Sequence, residues 1–107
     1  MTEERRQHKR VAFPFDASWT GASGAARCRT VDVSLGGCYL YSRSSPAIGE
    51  ETTVTLERSD KSITLRGRVV QVESGMGFAV QFVDVSDTDL QQLKELITAV
   101  DTGNTGS

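Results

Sequence analysis

At 107 residues the chain is one small domain with a single core, burying roughly two-thirds of the surface its unfolded form exposes. Its composition, 37% hydrophobic and 24% charged, is that of a globular protein and argues against wholesale disorder. A net charge of −2 and a sequence pI of about 5.3 argue against general nucleic-acid binding, which needs a broad basic surface.

No apolar run approaches the roughly 20 residues that span a bilayer. The N-terminus is charged from Glu3 onward and shows no secretory h-region. No membrane insertion is expected, and the expected location is the cytoplasm.

Residues 1–10 are polar and lack helix or strand periodicity, which predicts a flexible N-terminal arm. Val11, Phe13 and Phe15 alternate with smaller or polar residues, and Trp19 continues their parity. They predict a first strand, interrupted by Pro14. Gly21-Ala22-Ser23-Gly24 is a turn signal. Cys28–Val33 predicts a second strand, Ser34-Leu35-Gly36-Gly37 a turn, and Cys38–Tyr41 a third strand. If these strands form a hairpin, Asp32 and Ser34 flank its turn. After the loop Ser44–Gly49, Thr52–Leu56 alternates again.

Ile63, Leu65 and Val69 then share one parity while Val70 and Val72 take the other. That slip predicts a β-bulge or barrel corner near Gly67. Ser74-Gly75 turns the chain into a sixth strand through Phe78, Val80 and Phe82.

The period then changes. Ser86 followed by Asp89 resembles a capping box, and Asp87 and Asp89 suit a helix N-terminus. Leu90, Leu93, Ile97 and Val100 recur at spacings of three and four, with Leu96 widening the stripe. The helix is expected to cover one end of a barrel. Six short strands and one helix predict a mainly β fold, a small six-stranded antiparallel β-barrel. The organisation expected is an arm over residues 1–10, a barrel plus helix over 11–100, and a disordered tail over 101–107.

Charge is unevenly placed. Arg5, Arg6, Lys9 and Arg10 outweigh Glu3 and Glu4 by two, so residues 11–107 carry −4 of the total of −2. A basic arm on an acidic body suits a small anionic ligand better than a polyanion. Cys28 and Cys38 with His8 make a poor zinc set. Both thiols read as small apolar strand residues, and no metal is expected. Catalysis fails on inventory: a hydrolytic triad would need His8, on the arm, and no P-loop or dinucleotide fingerprint occurs.

Two clusters carry the remaining signal: Arg5-Arg6-Gln7-His8-Lys9-Arg10, and Asp32-Val33-Ser34-Leu35-Gly36-Gly37. Arginine presents a flat fork that matches phosphate oxygens and the O6/N7 edge of guanine. Asp and Ser on a glycine turn form a compact ledge able to accept guanine N–H groups. Each cluster also has a bland reading, a solvated charge run and a self-bonded turn.

The order and spacing of the two clusters on a barrel-then-helix layout resemble the PilZ domain family of bacterial cyclic di-GMP receptors. Their signature is RxxxR near the N-terminus, here Arg6–Arg10, followed by [D/N]xSxxG, here Asp32–Gly37. Gly75–Phe82 is similar to the family's glycine-led last strand, and the resemblance covers about residues 5–98. It implies cyclic di-GMP as the ligand, with no cofactor. Arg6 and Arg10 would grip guanine edges and phosphates. Asp32 would accept from guanine N–H, Ser34 would add a hydrogen bond, and Gly37 would permit the tight turn.

Arg5, just before RxxxR, is similar to members that bind a stacked ligand dimer, implying two molecules per chain. The resemblance further implies a receptor or adaptor whose arm changes conformation on binding and signals to an unidentified effector protein. The alternative is a PilZ-like interaction module that does not bind the nucleotide. Trp19, Tyr39 and Tyr41 read as barrel side chains, and Arg66 and Arg68 as a solvated face.

Overall fold

The computed structural model describes residues 15–58 and 61–106. Six strands run β1 (Asp16–Gly21), β2 (Gly24–Val33), β3 (Gly37–Tyr41), β4 (Glu51–Arg58), β5 (Lys61–Glu73) and β6 (Gly77–Phe82), followed by helix α1 (Asp87–Gly106). Every neighbouring pair is antiparallel, in the order β1-β2-β3-β6-β5-β4. β4 pairs back onto β1, with Ala17 opposite Leu56 and Trp19 opposite Val54. Closure leaves no open sheet edge to template aggregation. The predicted barrel is the observed one.

Alternation sends one face of each strand inward. Phe15, Ala17 and Trp19 lead into a core completed by Leu40, Val54, Leu56, Leu65, Phe78 and Val80. Trp19 meets Phe78 edge-on, with ring centroids 5.7 Å apart. Its indole N–H donates to the Ser42 hydroxyl at 3.4 Å. Val11, Phe13 and Pro14, read as the start of β1, lie outside the described residues.

Two bulges break the alternation. The predicted one in β5 is displaced: pairing of Gly67 with Phe82 is regular, and the register slips between Val69 and Gln71. Val70 is the extra residue, and it faces out. Gly67 has a different purpose. A β-carbon there would stand 2.1 Å from Val80 Cγ1, so the missing side chain makes room for a core valine. The second bulge, between Thr30 and Asp32 in β2, has no counterpart in the sequence reading.

Helix α1 starts as its sequence predicts. The Asp89 N–H donates to Ser86 Oγ at 3.1 Å, and Leu90 N–H makes the first helical bond to the Ser86 carbonyl. Leu93, Leu96 and Ile97 are buried in the barrel core, and the helix packs against β5. Before it, Asp84 adopts a left-handed φ of 52°, a conformation Asp tolerates better than most residues. Arg66 bridges Asp84 and Glu51, and its carbonyl accepts from Val83 N–H. The helix is thereby strapped to β5. Its backbone continues to Gly106, beyond Val100 where the apolar stripe stops, so residues 101–106, expected as a tail, form the last turns of the helix.

Candidate functional site

The β2 bulge decides where Asp32 points. Ala26, Cys28 and Thr30 face inward along β2, and strict alternation would put Asp32 inward as well. Val31 is the additional residue, 47% exposed. Parity inverts after it, so Val33 is fully buried and Asp32 takes the outer face, half-buried, opposite Tyr39. An inward carboxylate would need a buried partner. The bulge replaces it with a valine and leaves the carboxylate on the surface.

The following turn is rigid because its polar groups bond to each other and to β6. The Ser34 N–H donates to the Gly37 carbonyl at 2.8 Å. Ser34 Oγ donates to the same carbonyl at 3.3 Å and accepts from Gly36 N–H at 3.2 Å. Phe82 N–H donates to the Gly36 carbonyl at 2.9 Å. Ser34 is buried and therefore organises the ledge. A hydroxyl with one donation and one acceptance made retains one further acceptor position.

Gly37 permits the close approach of β3 to β6: a β-carbon there would lie 2.2 Å from the Val80 carbonyl oxygen. Asp32, Ser34 and Gly37 are thus brought together on one hairpin.

Arg5, Arg6 and Arg10, with His8, lie outside the described residues. The point where their segment joins the barrel is described. Phe15 N–H donates to Thr30 Oγ1 at 2.8 Å, and Thr30 N–H donates to the Phe15 carbonyl at 3.0 Å. Thr30 is two residues from Asp32, about 7 Å along a strand. Arg10 is five residues before Phe15, a reach of at most about 17 Å. Chain length therefore allows Arg10 to meet the ledge.

Beside Asp32, the Tyr39 hydroxyl donates to Glu73. That hydrogen bond pushes the phenol up to about 12, with burial and the carboxylate charge adding to it. Tyr39 is therefore a neutral wall tied to β5. In the sequence it reads only as a barrel side chain, because its tie to Glu73 joins residues 34 positions apart. Among the described residues no group of His, Cys, Asp and Glu is placed to hold a metal ion. Cys28 is a half-buried thiol and Cys38 a buried one.

A shallow groove of about 580 Å³ opens further back along β2, where Arg27 and Arg29 face Tyr41 and Arg43. None of these arginines was singled out in the sequence. The available signal was the alternation of Arg27 and Arg29 on the outward parity of a strand.

The match to the PilZ domain model spans residues 4–99, almost the whole chain. The chain belongs to the PilZ domain family. This PilZ domain is similar to YcgR in complex with c-di-GMP from Escherichia coli, with a TM-score of 0.81 and 18% identity over 95% of this chain and 48% of that one. It is similar also to the c-di-GMP-bound PilZ domain of YcgR from Escherichia coli, at 0.76 and 20% over 94% of each chain. The MrkH–c-di-GMP complex from K. pneumonia gives 0.78 and 16%, over 94% of this chain and 54% of that one.

These likenesses establish the fold. The chain spans about half the length of the YcgR and MrkH chains. No curated protein matches the sequence. PilZ domains are binding modules, so this one is not an enzyme. In the neighbouring complexes c-di-GMP is a bound ligand, not a cofactor.

Proposed function

We propose that this PilZ domain is a cyclic di-GMP receptor of the cytoplasm that relays ligand binding to an effector protein. The observation that carries the reading is the bulge at Val31. It turns Asp32 outward on a ledge pinned to β6, two residues from the Thr30 clamp through which the RxxxR segment joins the barrel. The c-di-GMP complexes among the structural neighbours support it.

In this reading Asp32 accepts guanine N–H groups, and Ser34 holds the turn and offers its remaining acceptor position. Gly37 keeps the hairpin against β6. Arg6 and Arg10 supply forks to phosphate and to the guanine O6/N7 edge, each worth about 1–3 kcal/mol by analogy with base readout in DNA. Arg5 adds contacts to a second, stacked ligand. Binding orders the N-terminal arm across the barrel at about 1–2 kcal/mol per fixed residue. The arm then presents a surface that the effector reads.

Calorimetric titration of cyclic di-GMP, with GTP as control, tests this. Two ligands per chain are expected, with affinity lowered about a hundredfold or more in an Arg6→Ala, Arg10→Ala variant. A folded wild type that binds nothing overturns the receptor reading. A ratio of one ligand per active chain overturns the role of Arg5. Amide exchange over residues 5–10 that does not slow on ligand addition overturns the ordering step.

A further inference from the structure

The groove behind the ledge has a chemistry of its own. Its lining sets Arg27, Arg29 and Arg43 against a single carboxylate, Asp16, on a body whose residues 11–107 carry −4. Arg29 Nε lies 3.5 Å from Asp16 Oδ1, and Arg27 Nη2 lies 3.8 Å from Glu57 Oε1. These pairs are solvated, with the arginine side chains 66% and 75% exposed respectively. An exposed pair is worth little, so an incoming carboxylate displaces one at small cost. Arg43 has no carboxylate partner among the described residues.

An apolar element borders these cations. Tyr41 is 62% exposed and Met76 55%. The Met76 carbonyl accepts from Ser42 N–H, which fixes the two segments side by side. Exposed tyrosine beside arginine is the composition of protein-interface hot spots.

We propose that this groove is a docking site for an acidic segment of a partner protein, one carrying an apolar side chain among its carboxylates. Two features favour a peptide over a polyanionic nucleic acid. The groove's own arginines already hold carboxylates, and its three arginines form a short patch that matches a few carboxylates rather than the broad basic surface a long polyanion needs. The site is distinct from the Asp32 ledge. Arg29 is three residues from Asp32, about 10 Å along the strand, and the phenol of Tyr39 beside the ledge is committed to Glu73. The proposal does not depend on nucleotide binding.

The test is an amide chemical-shift titration of the full chain, without nucleotide, using a blocked oligoglutamate peptide and the same peptide with a central phenylalanine. Saturable shifts are expected at residues 26–29 and 41–44, with tighter binding of the phenylalanine peptide and weakening as salt is raised. An Arg29→Ala, Arg43→Ala variant, shown to be folded by its spectrum, should bind about tenfold or more weakly. Arg66→Ala, which removes an arginine outside the groove, should bind as wild type. Absence of saturable shifts, or shifts centred on residues 32–37, overturns the proposal. So does equal weakening by Arg66→Ala. Inorganic pyrophosphate binding the same residues more tightly than either peptide also overturns it, and makes the groove a phosphate site.

Discussion

Thr52 shows how a single polar atom can work against the barrel. Its side chain is inward and buried, and its hydroxyl has no hydrogen-bond partner among the described residues. An unsatisfied buried hydroxyl costs about 1–3 kcal/mol, so Thr52→Val should stabilise the domain by about 1 kcal/mol. Calorimetric melting should show a rise of several degrees, and an unchanged or lower midpoint would mean that the hydroxyl is satisfied in solution. Cys28 makes the opposite point about reactivity. Burial pushes its thiol up to about 11, against a smaller lowering by Arg27. The thiol is therefore neutral at physiological pH, and thiolate appears only as pH rises toward that value. Its alkylation rate should increase about tenfold per pH unit between neutrality and about pH 10 without levelling off. A plateau near the ordinary thiol range would contradict the burial argument.

At the scale of elements, the β2–β3 hairpin joins stability to the proposed site. Gly37 on its first returning residue allows β3 to lie against Val80. Gly37→Ala forces one strand away from the other and should cost about 1–3 kcal/mol, read as a lower denaturation midpoint. It should also loosen the Asp32 ledge. A neutral effect would show that β6 can move aside. Helix α1 divides differently. Its buried face ends at Ile97 among residues whose side chains are described. Asp101-Thr102-Gly103-Asn104-Thr105-Gly106 are poor helix formers with no basic residue in the last turn. Removing residues 101–107 should leave the melting midpoint unchanged, whereas a clear drop would assign the last turns a packing role.

For the whole molecule, the helix and barrel share one core. Leu93 is fully buried with Leu96 and Ile97 against strand residues. Leu93→Ala should lower stability by about 2–5 kcal/mol and do so in a single unfolding transition seen alike by the helical signal and by Trp19 fluorescence. Two separated transitions would make the helix an independent unit.

Much of this architecture was legible in the chain. Strand alternation, the change of period at Ser86 and the turn residues each depend on local spacing. Asp32, Ser34 and Gly37 could be read as one cluster because they lie within six residues of each other. The Val31 bulge was hidden, since Val31 and Val33 flank Asp32 symmetrically and locally suit an outward Asp32, and the conflict with the inward parity of Cys28 and Thr30 is resolved only by the register of β2 on β3. The displaced β5 bulge was hidden for a related reason, because Gly67 signals both a bulge and a close approach and only Val80 distinguishes them.

By itself the sequence determined six strands and a capped helix, an acidic body behind a basic N-terminal cluster, and a signature that names its family. These follow from residue type and short-range spacing. Only the tertiary structure decided that β4 closes onto β1, that Asp32 faces out, that Ser34 is committed to its own turn, and that Arg27, Arg29, Tyr41 and Arg43 share a groove. Each of these depends on which strands become neighbours and in what register, and register is set by the packing of the whole barrel.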